Sequence, residues 1–382
     1  MRIAIPTEIK PLEGRVGLIP EACADLIAVG HQVRVQQGAG EASGYPDSAY
    51  TKLGVGILPD AVAIYDWAEL VIKVKEPYGP EPQMLRADQT LFCFLHLAAN
   101  EALTHSLLAS GVTAIAFETL ADGGGLPILA PMSDIAGRIA VQAGSHLLWR
   151  PEGGKGLLLG GLPAAQRGRV VILGAGQAGG NAARMAAALG AEVTIFDTQR
   201  TRMEAMRELG ANVTALYPYQ ESLAEAVATA DLLIGAVLIP GAQTPHLVSR
   251  ELVGQMQPGS VVVDISVDQG GCIETIRPTT YEEPTYVEEG VTHFGVANMP
   301  GAVPKSASQA LSAAMIPYLQ RLASGQWRDD PVLGEALNLS GGELIYPVLR
   351  DQYLRKQTKK SYKIIIILVN WGNRAGKATG GE

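Results

Sequence analysis

Short apolar stretches alternate with amphipathic ones along the first third of the chain. Apolar stretches rich in β-branched residues predict five strands, at residues 3–6, 32–36, 70–75, 90–95 and 113–118. Helix-like stretches lie between them, for example at residues 20–29 and 100–109. Because strands that alternate with helices form parallel sheets with crossover helices, this part of the chain is predicted to be an α/β layer structure.

A second alternating pattern follows a long amphipathic helix predicted at residues 133–149 and a glycine-rich loop at 151–168. It predicts helices at residues 181–189, 200–209, 221–229 and 250–256, and strands at 169–173, 191–196, 212–216, 232–237, 260–265 and 292–297. A last helix, at 306–323, is a candidate for a return to the first domain. The predicted fold class is α/β, with two Rossmann-like doubly wound domains, of which the N-terminal one is discontinuous (1–130 plus 304–355) and the other spans 131–303.

The C-terminal tail differs from both predicted domains. Residues 356–363 are basic, residues 364–369 form an aliphatic run, and residues 370–382 are polar and glycine-rich. We expect residues 356–382 to be a disordered or non-native extension, in which the aliphatic run is an aggregation liability.

The stretch at residues 169–197, RVVILGAGQAGGNAARMAAALGAEVTIFD, is typical of a dinucleotide-binding unit. A strand runs directly into Gly174-x-Gly176-x-x-Gly179, a helix follows, and Asp197 ends the next strand. In this motif the glycines allow a tight turn, a close approach to the pyrophosphate and close packing of helix on strand. The helix N-terminus favours the phosphates, and the acid binds the ribose hydroxyls. The alternative is a glycine-rich packing turn.

The acid at position 197 also bears on the choice of cofactor. A carboxylate at Asp197 disfavours a 2′-phosphate, so NAD is the predicted cofactor rather than NADP. Arg200 and Arg202 lie close enough in the sequence to leave NADP open.

Composition and charge narrow the class of protein. The 382 residues, 47% apolar and 18% charged, suffice for two domains with sizeable cores. A net charge of −8 argues against nucleic acid and anionic membranes as partners. Three scattered cysteines and no Cys/His cluster predict neither disulfides nor a metal site. Because the N-terminus opens into a strand and no apolar run could span a bilayer, we expect a cytoplasmic protein.

Polar side chains follow the predicted strands at their carboxyl ends, where open α/β sheets bind ligands. They are Arg15, Lys75, His96, Asp268 and Asn298. Structural explanations are a surface ion pair for Arg15, a pair with the neighbouring glutamate for Lys75, a structural role with satisfied hydrogen bonds for His96 and a turn cap for Asp268. Together, two cations, an imidazole and a carboxylate beside a nicotinamide suit a small carboxylate substrate that undergoes hydride transfer.

Several long motifs are specific to one family: IPTEIKPLEGRVGLIP (5–20), VIKVKEP (71–77), FLHLAA (94–99), PMSDIAGR (131–138), VILGAGQAG (171–179), DLLIGAVLIPG (231–241), VVVDISVDQGG (261–271) and VANMPGAVP (296–304). With them the chain resembles the alanine dehydrogenase/transhydrogenase family from residue 1 to about residue 350. The resemblance implies NAD-dependent, reversible oxidative deamination of L-alanine to pyruvate and ammonium, in a homohexamer.

The resemblance also implies residue roles. Arg15 and Lys75 match the pair that holds the substrate carboxylate. His96 matches the acid/base, Asp268 matches the catalytic carboxylate, and Asn298 lies beside the substrate. Whether His96 or Asp268 is the principal base stays open. The implied cofactor contacts are Ser133, Gly174, Gly176, Ala178, Gly179, Asp197, Arg202, Val237, Leu238, Ile265, Ser266, Val267, Asp268, Val296, Ala297, Asn298 and Met299.

Other functions remain alternatives. The NAD(H)-binding subunit of proton-translocating transhydrogenase has the same fold but passes the hydride to a second nucleotide. Its pattern lacks the lysine, histidine and aspartate that this chain carries at 75, 96 and 268, which favours the amino-acid dehydrogenase. A lysine-forming or related dehydrogenase is a weaker alternative, and a non-enzymatic NAD-binding module would have the apolar pockets without the charged residues.

Overall fold

In the computed structural model the described residues, 1–237, 244–325 and 327–353, form two sheets. The strands of the first sheet are β1 (Arg2–Ile5), β2 (Gln32–Gln36), β3 (Gly56–Leu58), β4 (Leu70–Ile72), β5 (Thr90–Cys93), β6 (Thr113–Ala116), β14 (Leu337–Ser340) and β15 (Glu343–Leu344). Those of the second sheet are β7 (Arg169–Leu173), β8 (Glu192–Phe196), β9 (Val213–Leu216), β10 (Leu232–Gly235), β11 (Val261–Asp264), β12 (Thr285–Glu288) and β13 (Val291–Phe294).

Both sheets share one topology. The first runs β3-β2-β1-β4-β5-β6 and the second β9-β8-β7-β10-β11-β13, with every pair in these runs parallel. This is the doubly wound order 3-2-1-4-5-6, in which the winding direction reverses at a switch point. The two switch points lie between β1 and β4 and between β7 and β10.

Antiparallel strands extend one edge of each sheet. In the first sheet, β14 pairs antiparallel with β6 and is followed by β15, so the chain returns to a sheet that it began at residue 2. In the second sheet, β12 pairs antiparallel with β13. The first unit is therefore built from two separate parts of the chain.

Helices connect the strands. The α-helices of the described ranges include α1 (Pro20–Ala28), α2 (Asp47–Thr51), α3 (Ala61–Trp67), α4 (Glu81–Met84), α5 (Glu101–Ser110), α6 (Ala130–Leu147), α7 (Gln177–Ala188), α8 (Arg200–Arg207), α9 (Gln220–Thr229), α10 (Arg250–Val253), α11 (Pro304–Ala323) and α12 (Pro331–Glu335). Short 3-10 turns lie at Glu41–Ser43, Phe117–Thr119, Arg150–Glu152, Val267–Gln269, Met299–Ala302 and Trp327–Asp329.

Two long helices lie where the chain passes from one unit to the other. Met132, in the first turn of α6, packs in the core of the first sheet, whereas Ala136 and Val141 further along pack in the core of the second. Helix α11 begins at Pro304, whose fixed φ suits a first turn, and buries Leu311 in the core of the first sheet. Helix α6 therefore contributes to both cores, and α11 contributes to the first core and packs against α6.

The predicted fold class is confirmed, including the discontinuous first unit. The domain boundaries at 130/131 and 303/304 stay predictions, and the tail at 356–382 lies outside the described residues. Short strands β3, β12, β14 and β15 were not predicted. Among the helices of the described ranges, none is both long and apolar enough to cross a membrane.

Some predicted elements have different ends, for local reasons. The strand predicted at 70–75 ends at Ile72 and is followed by a segment in which the Val74 N–H donates to the Glu8 carboxylate, 2.6 Å away. The strand predicted at 90–95 ends at Cys93. The helix predicted at 181–189 begins earlier, at Gln177, because the glycine-rich turn continues directly into its first helical turn.

Candidate active site

A cavity of about 200 Å³ lies where the carboxyl ends of the two sheets meet. Its walls are the loops after β1, β4 and β5, the loops after β10, β11 and β13, and the first turns of α6 and α7. Both switch points therefore open towards one space, as ligand sites of doubly wound sheets do. The lining residues are Arg15, Lys75, Phe94, His96, Leu129, Met132, Ser133, Ala136, Ala178, Ala236, Ile265, Ser266, Asp268, Gln269, Val296, Asn298, Met299 and Pro300.

The glycine-rich turn after β7 fits a dinucleotide. Gly174 has φ +94°, which side chains rarely adopt, and a Cβ at Gly179 would lie only 1.8 Å from the Gly174 carbonyl oxygen. The space beside Gly176 is open: its nearest neighbour would be an Arg202 nitrogen 4.0 Å away. The turn thus exposes backbone N–H groups at the N-terminus of α7, where an anion is favoured.

Asp197 lies at the carboxyl end of β8, beside this turn. Its two carboxylate oxygens accept hydrogen bonds from the Ala175 N–H and the Gln199 N–H, each at 2.7 Å. The Arg202 guanidinium lies 3.6 Å from the same carboxylate, whereas Arg200 is exposed and pairs with Glu204. Of the two arginines, only Arg202 therefore contacts the acid expected to bind the ribose.

Arg15 is buried and bridges the two halves of the cavity. Its Nε and Nη2 donate to the two oxygens of Glu13, at 2.7 and 2.5 Å, and Nη2 also donates to Oδ1 of Asn298 at 2.8 Å. Nη1 contacts the Met132 sulfur at 3.1 Å. Burial raises the pKa of Glu13, but the Arg15 guanidinium outweighs it and the net pKa is lowered. The Nε–Nη2 edge is thus already occupied, and Nη1 is the atom left for a ligand.

Lys75 lies above a buried ion cluster. The cluster joins Lys73 to Glu8 at 3.2 Å and to Glu81 at 2.7 Å, and Tyr65 donates to Glu81 at 3.0 Å. Burial lowers the pKa of Lys73, but the two carboxylates outweigh it and the net pKa is raised. Because Glu8 also binds the Val74 N–H, this cluster ties the loops after β1 and β4 together beneath the cavity.

Lys75 itself borders the cavity and carries a lowered pKa. Burial is the largest cause, and the neighbouring Arg15 adds to it. The Glu76 and Asp268 carboxylates act in the opposite direction. An anionic ligand would relieve the repulsion between Lys75 and Arg15, so the pair favours a carboxylate.

His96 lies in the loop after β5 in a left-handed backbone conformation, with φ +49°. The Glu118 carboxylate accepts its backbone N–H at 2.6 Å, and the ring stacks on Phe94 with centroids 5.7 Å apart. Its Nδ1 lies 3.7 Å from Oε2 of Glu76. The ring lines a cleft among protein groups, and the exposed fraction of the side chain is 47%. Burial lowers the pKa of His96, but Glu76 and Glu118 outweigh it and the net pKa is raised.

Asp268 lies in a loop whose two ends are both hydrogen-bonded to a second aspartate, Asp264. The Asp264 carboxylate accepts N–H groups from Ser266 at 2.8 Å, Cys272 at 2.7 Å and Ile273 at 3.2 Å, at both ends of the loop. The loop therefore presents the exposed Asp268 towards the cavity from the second sheet, opposite His96 on the first.

The structure brings most of the predicted site residues into this cavity. Gly174, Gly176, Gly179, Asp197, Arg202, Val237, Val267 and Ala297 lie outside its lining, and Leu238 lies outside the described residues. The individual roles stay predictions. Sequence reasoning missed seven wall residues, Phe94, Leu129, Met132, Ala136, Ala236, Gln269 and Pro300. It also assigned no role at the site to the carboxylates of Glu13, Glu76 and Glu118.

Comparison with known proteins gives the family. Residues 4–136 match the family model described as alanine dehydrogenase/PNT, N-terminal domain, and residues 140–347 match its C-terminal domain. The chain belongs to the alanine dehydrogenase/PNT family. The resemblance drawn from the motifs is thereby confirmed, and family membership makes the chain an oxidoreductase with a nicotinamide cofactor.

Relatives within the alanine dehydrogenase/PNT family differ in their similarity to the chain. The alanine dehydrogenase of Halomonas elongata is 47% identical over 359 residues, covering 92% of this chain and 97% of that protein. A solved structure of an L-alanine dehydrogenase has a TM-score of 0.89 at 46% identity, over 93% of this chain and 99% of the other. A transhydrogenase from Sinorhizobium meliloti has a TM-score of 0.79 at 27% identity, over 91% and 99% of the two chains.

Proposed function

We propose that the chain catalyses the NAD-dependent, reversible oxidative deamination of L-alanine to pyruvate and ammonium. The observation that carries the proposal is one cavity, at the switch points of both sheets, lined by Arg15, Lys75, His96 and Asp268. Two cations suit a carboxylate, an imidazole and a carboxylate suit proton transfer, and the adjoining glycine-rich turn suits a dinucleotide.

The substrate carboxylate would bind between Arg15 and Lys75. Because Glu13 occupies the Nε–Nη2 edge of Arg15, the carboxylate would approach Nη1 and replace the Met132 sulfur, which is a weak acceptor. Lys75 would supply the second contact. Asn298, already hydrogen-bonded to both Glu13 and Arg15, would keep the guanidinium in place from the second sheet.

Proton transfer would fall to His96 and Asp268. When bound, the nicotinamide supplies the hydride acceptor. The substrate ammonium would lose a proton before the hydride leaves Cα. Water would then add to the iminium carbon and give up a proton, and the protonated amine would leave as ammonia, which takes up a proton to become ammonium. An imidazole can take and return protons near neutral pH, and a carboxylate opposite it would stabilise the iminium and orient the water.

An absorbance assay of NADH tests this proposal. We expect the purified protein to reduce NAD with L-alanine and to oxidise NADH with pyruvate and ammonium. A panel with serine and glycine, run with NAD and with NADP, would show the substrate and cofactor preference. Hydride exchange between two nucleotides without alanine turnover would favour the transhydrogenase alternative. The structural similarity to the transhydrogenase from Sinorhizobium meliloti is the reason for testing it.

Replacing Asp197 by Ala should weaken NAD binding and narrow the preference for NAD over NADP. The ribose diol would lose its acceptor, and a 2′-phosphate would lose a repulsive charge. Arg202, whose guanidinium lies 3.6 Å from the Asp197 carboxylate in the unaltered protein, would remain to bind the phosphate. Dissociation constants for NADH and NADPH from fluorescence titration measure the change.

Arg200→Gln is the matched control for the cofactor prediction. It removes an arginine from the same helix that pairs with Glu204 and not with Asp197, so the preference should not move. Tighter binding of NADP than of NAD by the unaltered protein would contradict the role given to Asp197.

We also infer from the family resemblance that the protein is a cytoplasmic homohexamer. Sedimentation equilibrium of the purified protein tests the assembly, and fractionation of the source cells tests the location.

A further inference from the structure

His96 is held by two carboxylates that act on different parts of the residue. Oxygens of Glu118 accept the Leu95 N–H at 3.2 Å and the His96 N–H at 2.6 Å, which fixes the backbone in its left-handed conformation. Phe94 supports one face of the ring. The backbone is thus fixed without any contact to the ring nitrogens, and the orientation of the ring about its own axis needs a second partner.

Glu76 is placed to be that partner. Its Oε1 accepts a hydrogen bond from Lys10 Nζ at 2.5 Å, whereas its Oε2 is buried and has no hydrogen-bond donor among residues 1–237, 244–325 and 327–353. The closest ring nitrogen is Nδ1 of His96, 3.7 Å away. A buried carboxylate oxygen without a donor is unfavourable, and catalytic hydrogen bonds that are long without ligands shorten when substrate binds.

We propose that Glu76 is a positioning residue that binds Nδ1 of His96, so that Nε2 is the atom that exchanges protons with the substrate. Carboxylates that hold a histidine in this way fix its tautomer and stabilise the imidazolium. The proposal deepens the alanine dehydrogenase function proposed above and rests on it. It assigns a function to a carboxylate that sequence reasoning considered only as a partner of Lys75.

The charges around His96 determine the direction in which each substitution should shift its pKa. Burial raises the pKa of Glu76, but His96 and Lys10 outweigh it and lower the pKa to about 2, so Glu76 stays ionised at every pH of interest. Glu76 and Glu118 favour the imidazolium of His96, Lys75 opposes it, and Lys10 acts on it through Glu76.

Two substitutions should therefore move His96 in opposite directions. Glu76→Gln removes the negative charge beside Nδ1, so the pKa of His96 should fall. Lys10→Met leaves Glu76 in place and removes the cation that neutralises it, so the pKa of His96 should rise. Glu76→Asp keeps the charge and should retain part of the effect. If the two substitutions acted only by disturbing the local structure, the pKa of His96 would shift in the same direction in both variants.

The pKa of His96 can be measured without any substrate. Diethyl pyrocarbonate acylates neutral imidazole, so the rate of modification of the peptide that contains His96, followed by mass spectrometry against pH, gives its titration. His96→Gln identifies the signal. Glu69→Gln is the matched control, because Glu69 pairs with Arg2 in the same sheet away from the cavity. NADH fluorescence reports that each variant is folded.

Kinetics provide the second readout. Glu76→Gln should lower kcat for pyruvate amination by roughly 10- to 100-fold, with a smaller change in the KM for pyruvate, because the ring loses orientation while Arg15 and Lys75 remain to bind the carboxylate. The alkaline limb of the amination profile, where the imidazolium loses its proton, should shift to lower pH in Glu76→Gln and to higher pH in Lys10→Met.

The outcomes separate this proposal from the one on which it rests. Opposite shifts of the His96 titration in Glu76→Gln and Lys10→Met would support it. An unchanged titration in Glu76→Gln, or shifts of the same sign in both variants, would overturn it. Failure of the unaltered protein to turn over alanine would instead reject the proposed function, and the substrate-free titration would be unaffected by that result.

Discussion

Replacing His96 by Ala or Asp268 by Asn should lower kcat by at least about a hundredfold in both directions of the reaction, which is the range expected when a proton-transfer group is removed. His96 reaches the cavity from the loop after β5 of the first sheet, and Asp268 reaches it from the loop after β11 of the second. NADH should bind the variants as before, because neither side chain belongs to the glycine-rich turn after β7.

Steady-state kinetics of pyruvate amination, with NADH binding followed separately by fluorescence, measure this prediction. His146→Gln is the control, because its ring lies 3.5 Å from Glu152 in a comparable histidine–glutamate pair on the outside of α6. Full kcat in His96→Ala would return His96 to a structural role and leave proton transfer to Asp268 and water.

Replacing Arg15 by Met should remove saturation by pyruvate and also cost about 3–5 kcal/mol of unfolding free energy, the range for breaking one side of a buried pair. The variant leaves the buried Glu13 carboxylate without its guanidinium partner. Arg15→Lys, which restores a charge but not the planar fork, should raise the KM for pyruvate with a smaller loss of stability.

The stability loss in Arg15→Met should depend on pH in a defined direction. In the unaltered protein the pKa of Glu13 is lowered, so the pair contributes stability above the ordinary carboxyl pKa of about 4.3. Without Arg15, burial raises the pKa of Glu13 in the folded variant above that in the unfolded chain. The unfolded chain therefore releases this proton at a lower pH, and the variant loses stability as pH rises from the unfolded pKa to the folded pKa of Glu13. The deficit in melting temperature should therefore be larger at pH 8 than at pH 5.

A double variant separates the two effects of Arg15. Glu13→Gln in the Arg15→Met background removes the buried charge, so most of the stability and none of the pyruvate binding should return. Denaturant unfolding and pyruvate kinetics measure the two quantities on the same samples. An Arg15→Met protein that melts like its parent at pH 8 would show that Asn298, which also donates to Glu13, is a sufficient partner.

The nucleotide unit could be read from the sequence because its geometry is local. Gly174 needs its positive φ for a turn between a strand and a helix that adjoin it in the chain, and Asp197 closes the same unit. The charged residues at strand ends could be located for a related reason: parallel strands bring their carboxyl ends to one edge of a sheet, whatever the intervening sequence.

The supporting carboxylates could not be predicted, because each makes a contact with a residue that is distant in the sequence, although Glu13 also binds Arg15 only two positions away. Glu118 holds His96 from 22 positions away, Glu76 pairs with Lys10 across 66, and Glu13 contacts Asn298 across 285. A single sequence shows these residues only as ordinary charges. Strands as short as β3 and β15 carry too few residues for an alternating pattern to be visible, so their pairing is set by the sheet edge that receives them.

The return of β14 to the first sheet has a consequence for synthesis on the ribosome. The second sheet lies within residues 169–294, so it can form as soon as that segment has emerged. The first sheet is complete only when β14 reaches β6, and the hydrogen-bonded side chains of Thr113 and Ser340 are 227 positions apart. Contacts that close such long loops form slowly. The first sheet, whose loops carry Arg15, Lys75 and His96, is therefore the first to be translated and the last to be completed.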